Sequence, residues 1–174
     1  MSMLRLSTCL ASLVWVMAAA SAEASSPRVL RQPGLWEVKV WPEGKSVMLS
    51  QRVLQCSSTE VEPALLLSIV PGQEHCGSPD IEISRARLRI RTACEVHKRP
   101  VSADLRLKGD RKRSYEGVFE VGGAGASGPA RVQTSGIWLG ECPRGVLAGQ
   151  MQLPNGVVVD PLRDKAASEA EHTH

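Results

Sequence analysis

A two-residue period constrains this chain more than any other feature. Ala86, Leu88, Ile90, Thr92, Cys94 and Val96 fall on one parity, and Arg85, Arg87, Arg89 and Arg91 on the other. Successive side chains of a β-strand point to opposite faces, so this stretch reads as a strand with one apolar and one cationic face. Pro100 interrupts it. Val101, Ala103, Leu105 and Leu107 then alternate with Ser102, Asp104, Arg106 and Lys108.

The same alternation recurs elsewhere. Trp36, Val38 and Val40 stand against Glu37 and Lys39, which makes 35–41 a half-buried strand. Further strands are expected over 47–56, 115–121, 132–139, 146–153 and 157–159. The parity slips near Ser50 and Gln51, and the slip reads as a bulge. Pro42-Glu43-Gly44-Lys45, Gly109-Asp110 and Pro154-Asn155-Gly156 supply turns.

One stretch, 57–70, departs from the pattern. Thr59 and Glu62 have the spacing of a capping box, Pro63 falls within the first turn, and Leu65, Leu66, Ile69 and Val70 recur at helical spacing before Pro71-Gly72. A helix of about three turns is expected there.

About eight short strands with one helix make a mainly β, antiparallel domain. Its edges have to be closed into a barrel or packed as a sandwich. The run of sequential hairpins favours a meander whose sheet is barrel-like or curved.

Residues 1–22 read as a signal peptide: Arg5, then an uncharged apolar run from Leu10 to Ala20, then small residues at the spacing Ala20-Ser21-Ala22 or Ala22-Glu23-Ala24. The expected organisation is a loose N-terminal lead-in over 23–33, a single β domain over 34–159 and a disordered polar tail over 160–174. No later apolar stretch is long enough to span a bilayer. The expected location is the periplasm, with secretion as the other outcome of export.

Beyond the signal stand Cys56, Cys76, Cys94 and Cys142. An even number of cysteines in an exported chain reads as two disulfides, and four cysteines allow three pairings. No C-x-x-C pair is present, so a zinc site is not expected.

Several short motifs, taken in order, carry a resemblance. They are Pro33-Gly34-Leu35-Trp36-Glu37-Val38; Cys56 followed by a Ser/Thr-containing helix start with an acid; Cys76 and Cys94 flanking a β segment; Ser114-Tyr115-Glu116-Gly117; and Ser135-Gly136-Ile137-Trp138-Leu139-Gly140-Glu141-Cys142. Together they resemble the bacterial exported family named domain of unknown function 3617 (DUF3617), over about residues 32–143. The resemblance implies an exported, disulfide-held β domain and supplies no catalytic residues. The chain departs from the family pattern in its extension after Cys142 and in lacking Met-rich strands. Sequence and resemblance together favour Cys76–Cys94, which a hairpin would place side by side, leaving Cys56–Cys142.

Chemistry is sparse. A net charge of +3 and 3% aromatic residues argue against a nucleic-acid partner. Gly123, Gly125 and Gly128 match a dinucleotide fingerprint, but Pro129 and a strand follow where a helix is required, so no cofactor is expected. The four histidines, His75, His97, His172 and His174, accompany no G-x-S-x-G elbow, and a metal cluster of His172, His174 and Glu171 would sit in the polar tail. Glu116 and Glu120 share a strand face and read as solvated acids. Trp36 and Trp138 read as core.

The chain is therefore expected to be no enzyme but a binding or envelope-associated module. Two ligand classes fit. A small apolar ligand or lipid could occupy a barrel interior lined by Val38, Leu88, Ile90 and Leu105. Alternatively, an anionic envelope component could dock on the row Arg85, Arg87, Arg89 and Arg91, whose guanidinium groups would lie about 6.6–6.8 Å apart along one strand face. Residues 85–113 hold eleven Lys and Arg against three acids. The plainer reading of that row is a solvated outer face.

Overall fold

The computed structural model describes residues 29–68, 76–96, 98–123 and 128–163. The signal peptide, all four histidines, Gly125 and the end of the tail lie outside these residues, as does the Pro71-Gly72 stop.

The strands are β1 (Gly34–Pro42), β2 (Gln51–Ser57), β3 (Asp80–Ile83), β4 (Arg87–Val96), β5 (Arg99–Lys108), β6 (Ser114–Gly123), β7 (Ala130–Gly140), β8 (Met151–Gln152) and β9 (Val158–Val159). They form one antiparallel sheet in the order β3-β4-β5-β6-β7-β1-β2-β8-β9. The run β3 to β7 is a pure hairpin meander. β1 then inserts between β7 and β2, pairing Trp36 with Trp138 and with Gln55. The sheet is the curved alternative and is not closed: β3 and β9 are its edges. The Gly123-to-Gly128 motif joins β6 to β7, where Val121 pairs with Ala130, so it serves a hairpin.

The register places the alternation as the sequence suggests. Trp36, Val38, Leu88, Ile90, Ala103, Leu105, Leu107, Tyr115 and Phe119 share one buried face. α1 (Glu62–Leu67) packs on that face, and its Leu66 and Leu67 join the core.

Three local expectations are corrected. The parity slip at Ser50 and Gln51 is one 3-10 turn, Val47–Leu49, capped by the Ser46 hydroxyl, which accepts from the Met48 N–H. The strand expected over 146–153 shrinks to Met151–Gln152, because Cys56 instead exchanges main-chain bonds with Gly149 and Gln150. The Thr59–Glu62 capping box does not form. α1 begins at Glu62 with Val61 as N-cap and no side-chain cap, and Pro63 occupies its first turn.

Glu62 fails as a cap because it turns inward. Its carboxylate accepts two hydrogen bonds from Arg31, one from Nε and one from Nη2 at 3.3 Å. Both side chains are buried, at 0% and 1% exposure. Arg31 also donates to Gln55 Oε1 at 3.0 Å and to the Tyr115 hydroxyl at 3.2 Å. Its guanidinium carbon lies 4.8 Å from the Trp36 ring centroid and 5.5 Å from that of Tyr115. The ring of Tyr115 in turn lies on Gly136, where a Cβ would stand 2.1 Å from Tyr115 Cε1. Burial works against both charges. It lowers the Arg31 pKa, but Glu62 and Tyr115 together outweigh that and raise it, so the guanidinium stays charged.

The lead-in segment is therefore not loose where it is described. Leu30 and Arg31 are buried. Arg111, in the left-handed region at φ 54°, clamps the segment from the far side. Its Nε donates to the Leu30 carbonyl at 3.0 Å, and its own carbonyl accepts from the Gln32 N–H at 2.8 Å.

Cys56 is bonded to Cys142 and Cys76 to Cys94. The first bridge spans 86 positions and the second 18. Past β9 the chain stays ordered to Arg163, with Pro161 buried and Asp160 Oδ1 accepting from the Arg163 N–H.

Two predictions follow from this packing. Loop-closure entropy scales with the logarithm of span, so replacing Cys56 and Cys142 by Ala costs about 4.6 kcal/mol, against about 3.2 kcal/mol for Cys76 and Cys94. Urea unfolding of the two double variants measures that order. Glu62→Ala leaves a buried guanidinium unpaired and costs about 3–5 kcal/mol, whereas replacing the pair together by Arg31→Met and Glu62→Leu costs less than either single change. The same unfolding assay reads the comparison.

Candidate anion-binding face

The outer face of the sheet carries the arginines, and the register shows what surrounds each one. Arg85 is not on the strand. β3 and β4 turn at Ser84–Ala86, so Arg85 and Ala86 lie in a hairpin and are exposed. The main chain closes there through the Ser84 N–H and the Arg87 carbonyl, at 2.8 Å. The row of four is thus a row of three on β4.

Two of those three are already bound. Arg89 grips Asp104 with both Nε, at 3.0 Å, and Nη2, at 2.6 Å. Arg91 reaches across to Asp80 at 2.7 Å and to Glu82 on β3. The pairing continues across the sheet. Asp104 also accepts from Arg106 at 2.9 Å, Arg106 donates to Glu120 at 2.6 Å, and Glu120 accepts from Arg131 Nε at 2.6 Å. Arg131 ends the line on Glu43 at 3.4 Å. Carboxylates and guanidinium groups therefore alternate from β3 to the turn after β1. Glu120, which shares its strand face with Glu116, is held between two arginines.

Asp104 feels this most. The bidentate Arg89 holds its carboxyl down at about 2, below the ordinary 3.8; partial burial opposes the shift, and Arg106 adds to it. Arg89, Arg106 and Arg131 are raised correspondingly, each chiefly by its hydrogen bond to the facing carboxylate.

Five unpaired cations gather at one end of this face, while Lys98 and Arg99 stand exposed at the other end, in the β4–β5 hairpin. Arg87 and Lys108 are directly opposite partners on β4 and β5. Arg85 sits in the β3–β4 turn, and Lys112 and Arg113 in the β5–β6 turn. Among the described residues, none of these five side chains takes part in an ion pair or a hydrogen bond. Asp110, in the same turn, is consumed by the backbone: its carboxylate accepts from the N–H groups of Lys112, Arg113 and Ser114, which lower its pKa. Beside these cations runs an open groove of about 690 Å³, lined by Arg87, Arg89, Arg106, Lys108 and Arg131 together with one acid, Glu82, over a floor that includes Gly117 and Val118.

Among the described residues the interior is closely packed. Val38, Leu88, Ile90 and Leu105, expected to line a ligand chamber, are packed at 2% exposure or less. The void among Val38, Leu65, Leu66, Leu105 and Tyr115 is about 10 Å³, the size of one water at most. Among the described residues, no three His, Cys, Asp or Glu side chains gather as a metal site.

These features define a disulfide-linked, single-sheet β domain with a solid core and a charged outer face. Residues 31–142 match the model of a family described as protein of unknown function (DUF3617), and the chain belongs to that family. The match opens on Arg31 and closes on Cys142, one end of the buried ion pair and one end of the long disulfide. No curated protein and no solved structure matches the chain.

Sequence reasoning missed the Arg31–Glu62 pair because each residue had a plainer assignment, one in a leading segment and one as a helix cap. A signal did exist. Trp36, the acid after Cys56, Tyr115 and Gly136 all fall within the motifs that carry the family resemblance; the first three meet Arg31, and Gly136 makes room for the Tyr115 ring.

The depressed Asp104 carboxyl generates a pH prediction. Its folded pKa lies below its unfolded value, so it stabilises the fold above about pH 4 and loses that contribution as pH falls toward about 2. Asp104→Asn removes this part of the acid limb. The midpoint of urea unfolding, followed from about pH 5 to about pH 2, falls less steeply in the variant than in the parent.

Proposed function

We propose that this chain is an exported, non-catalytic module of the cell envelope that binds an anionic partner through its outer face. The carrying observation is the groove of about 690 Å³ beside the unpaired Arg87 and Lys108. Like charges directly opposite on neighbouring strands destabilise a sheet, so this cation pair is a local cost that an anion would relieve. Guanidinium and ammonium groups at that spacing suit phosphate, sulfate or carboxylate groups.

Location in the periplasm fits the two disulfides, which persist in oxidising compartments, and the export signal read in residues 1–22. Among the described residues no helix is long and apolar enough to cross a membrane. The packed interior favours the surface over an internal chamber for an apolar ligand.

Calorimetric titration with soluble polyphosphate tests this reading. Binding is expected, and it weakens as salt rises from about 0.01 M to about 1 M and the screening length contracts from about 30 Å to about 3 Å. Replacing Arg87 and Lys108 by Glu lowers the affinity at least about tenfold, while Arg91→Gln, which removes a guanidinium already held by Asp80 and Glu82, has little effect. Equal affinity in all three proteins sinks the proposal.

A further inference from the structure

The outer face is not charged throughout. On β7 the outward residues are Arg131, Gln133, Ser135, Ile137 and Leu139, so one strand runs from the ion-paired belt to an apolar end. Ile137 and Leu139 are 51% and 52% exposed. Cys142, three residues beyond Leu139, is bonded to Cys56, and the Val146 carbonyl lies 3.9 Å from Cys56 Sγ. That linkage carries Leu147, 64% exposed, to the same end of the sheet.

The unpaired cations occupy this end as well. Ile137 pairs with Ser114, the residue after Arg113, and the Trp138 N–H donates to the Arg113 carbonyl at 2.8 Å. One row further in, Ser135 pairs with Glu116, which pairs with Lys108, which pairs with Arg87. Exposed apolar side chains thus stand at the lip of the sheet. Behind Ile137, one side-chain repeat of about 6.6–6.8 Å along the strand, comes the row Ser135, Glu116, Lys108 and Arg87, in which the two uncommitted cations stand on β5 and β4 beyond the Glu116 carboxylate.

From this placement we propose that the outer face docks on an anionic phospholipid surface, with Ile137, Leu139 and Leu147 entering the boundary between headgroups and acyl chains and Arg87, Lys108, Lys112 and Arg113 meeting the lipid phosphates. The inference rests on the anion-binding reading above and names its source as a bilayer. A soluble polyanion would use the cations and leave the three apolar side chains in water. A bilayer uses both, because interfacial binding adds apolar burial to attraction by anionic headgroups. The ion-paired belt further along the face, from Arg91 through Asp104 and Glu120 to Arg131, presents a balanced charge between this end and the β4–β5 hairpin.

Co-sedimentation of the folded protein with vesicles of phosphatidylglycerol, and with vesicles of phosphatidylcholine alone, tests the inference alongside the polyphosphate titration. Binding to the anionic vesicles and not to the neutral ones is expected. Ile137→Thr with Leu139→Thr keeps β-compatible residues at exposed positions, and Leu147→Ser alters only a loop. Each lowers vesicle affinity, together by about tenfold or more, and leaves polyphosphate affinity unchanged. If vesicle affinity ignores the apolar substitutions, or if polyphosphate binds and vesicles do not, the bilayer is overturned as the source and the anion-binding reading survives. If neither probe binds the parent protein, both readings fail.

Discussion

The ion pair between Arg31 and Glu62 holds together parts of the chain that share no strand pairing. Arg31 belongs to the segment before β1, Glu62 opens α1, Gln55 lies on β2 and Tyr115 on β6. One guanidinium bonds to all three of the others and lies against the ring of Trp36. A charge buried at 0% exposure is tolerable only when its hydrogen-bonding capacity is met, and here carboxylate, amide and phenol share it. The geometry of the centre follows from that requirement. α1 must start where Glu62 can reach inward, and β7 must present Gly136 so that the Tyr115 ring can lie close.

The outer face obeys the opposite logic. Its charges are wet, individually weak and numerous, and each exposed pair contributes about 0–1 kcal/mol. Their arrangement matters more than their strength. Because acids and arginines alternate across five strands, a stretch that looks strongly basic along the sequence becomes close to neutral across the sheet. What remains uncompensated sits toward the ends of the strands and in the hairpin turns.

The difference between the two faces explains what could be read from the residues alone. Period two located β1, β4, β5, β6 and β7 closely, because each has one face in the core and one in water. It failed at 47–50 and 146–150, where main-chain bonds to loops replace a ladder and parity carries no information. The arginine row was visible, but its neutralisation was not, since Asp104, Glu120 and Glu82 become neighbours of Arg89, Arg106 and Arg91 only through register. Arg85 was assigned to the strand because no Gly or Pro marks the turn at Ser84–Ala86. Arg31 and Glu62 left no periodic trace, because a buried charge has none, and only the clustering of their neighbours in the family motifs pointed to them.

The placement of β1 also has a consequence in time. It lies between β7 and β2, and the Cys56–Cys142 bridge joins the strands on either side of it. Synthesis delivers β1 first, yet one of its two neighbours, β7, begins almost a hundred residues later. Until then an apolar edge bearing Trp36 and Val38 has only β2 to pair with. Contacts this distant along a chain form slowly, and a half-paired strand is open to strangers in the interval. Among the described strands the first one made is thus among the last to be enclosed.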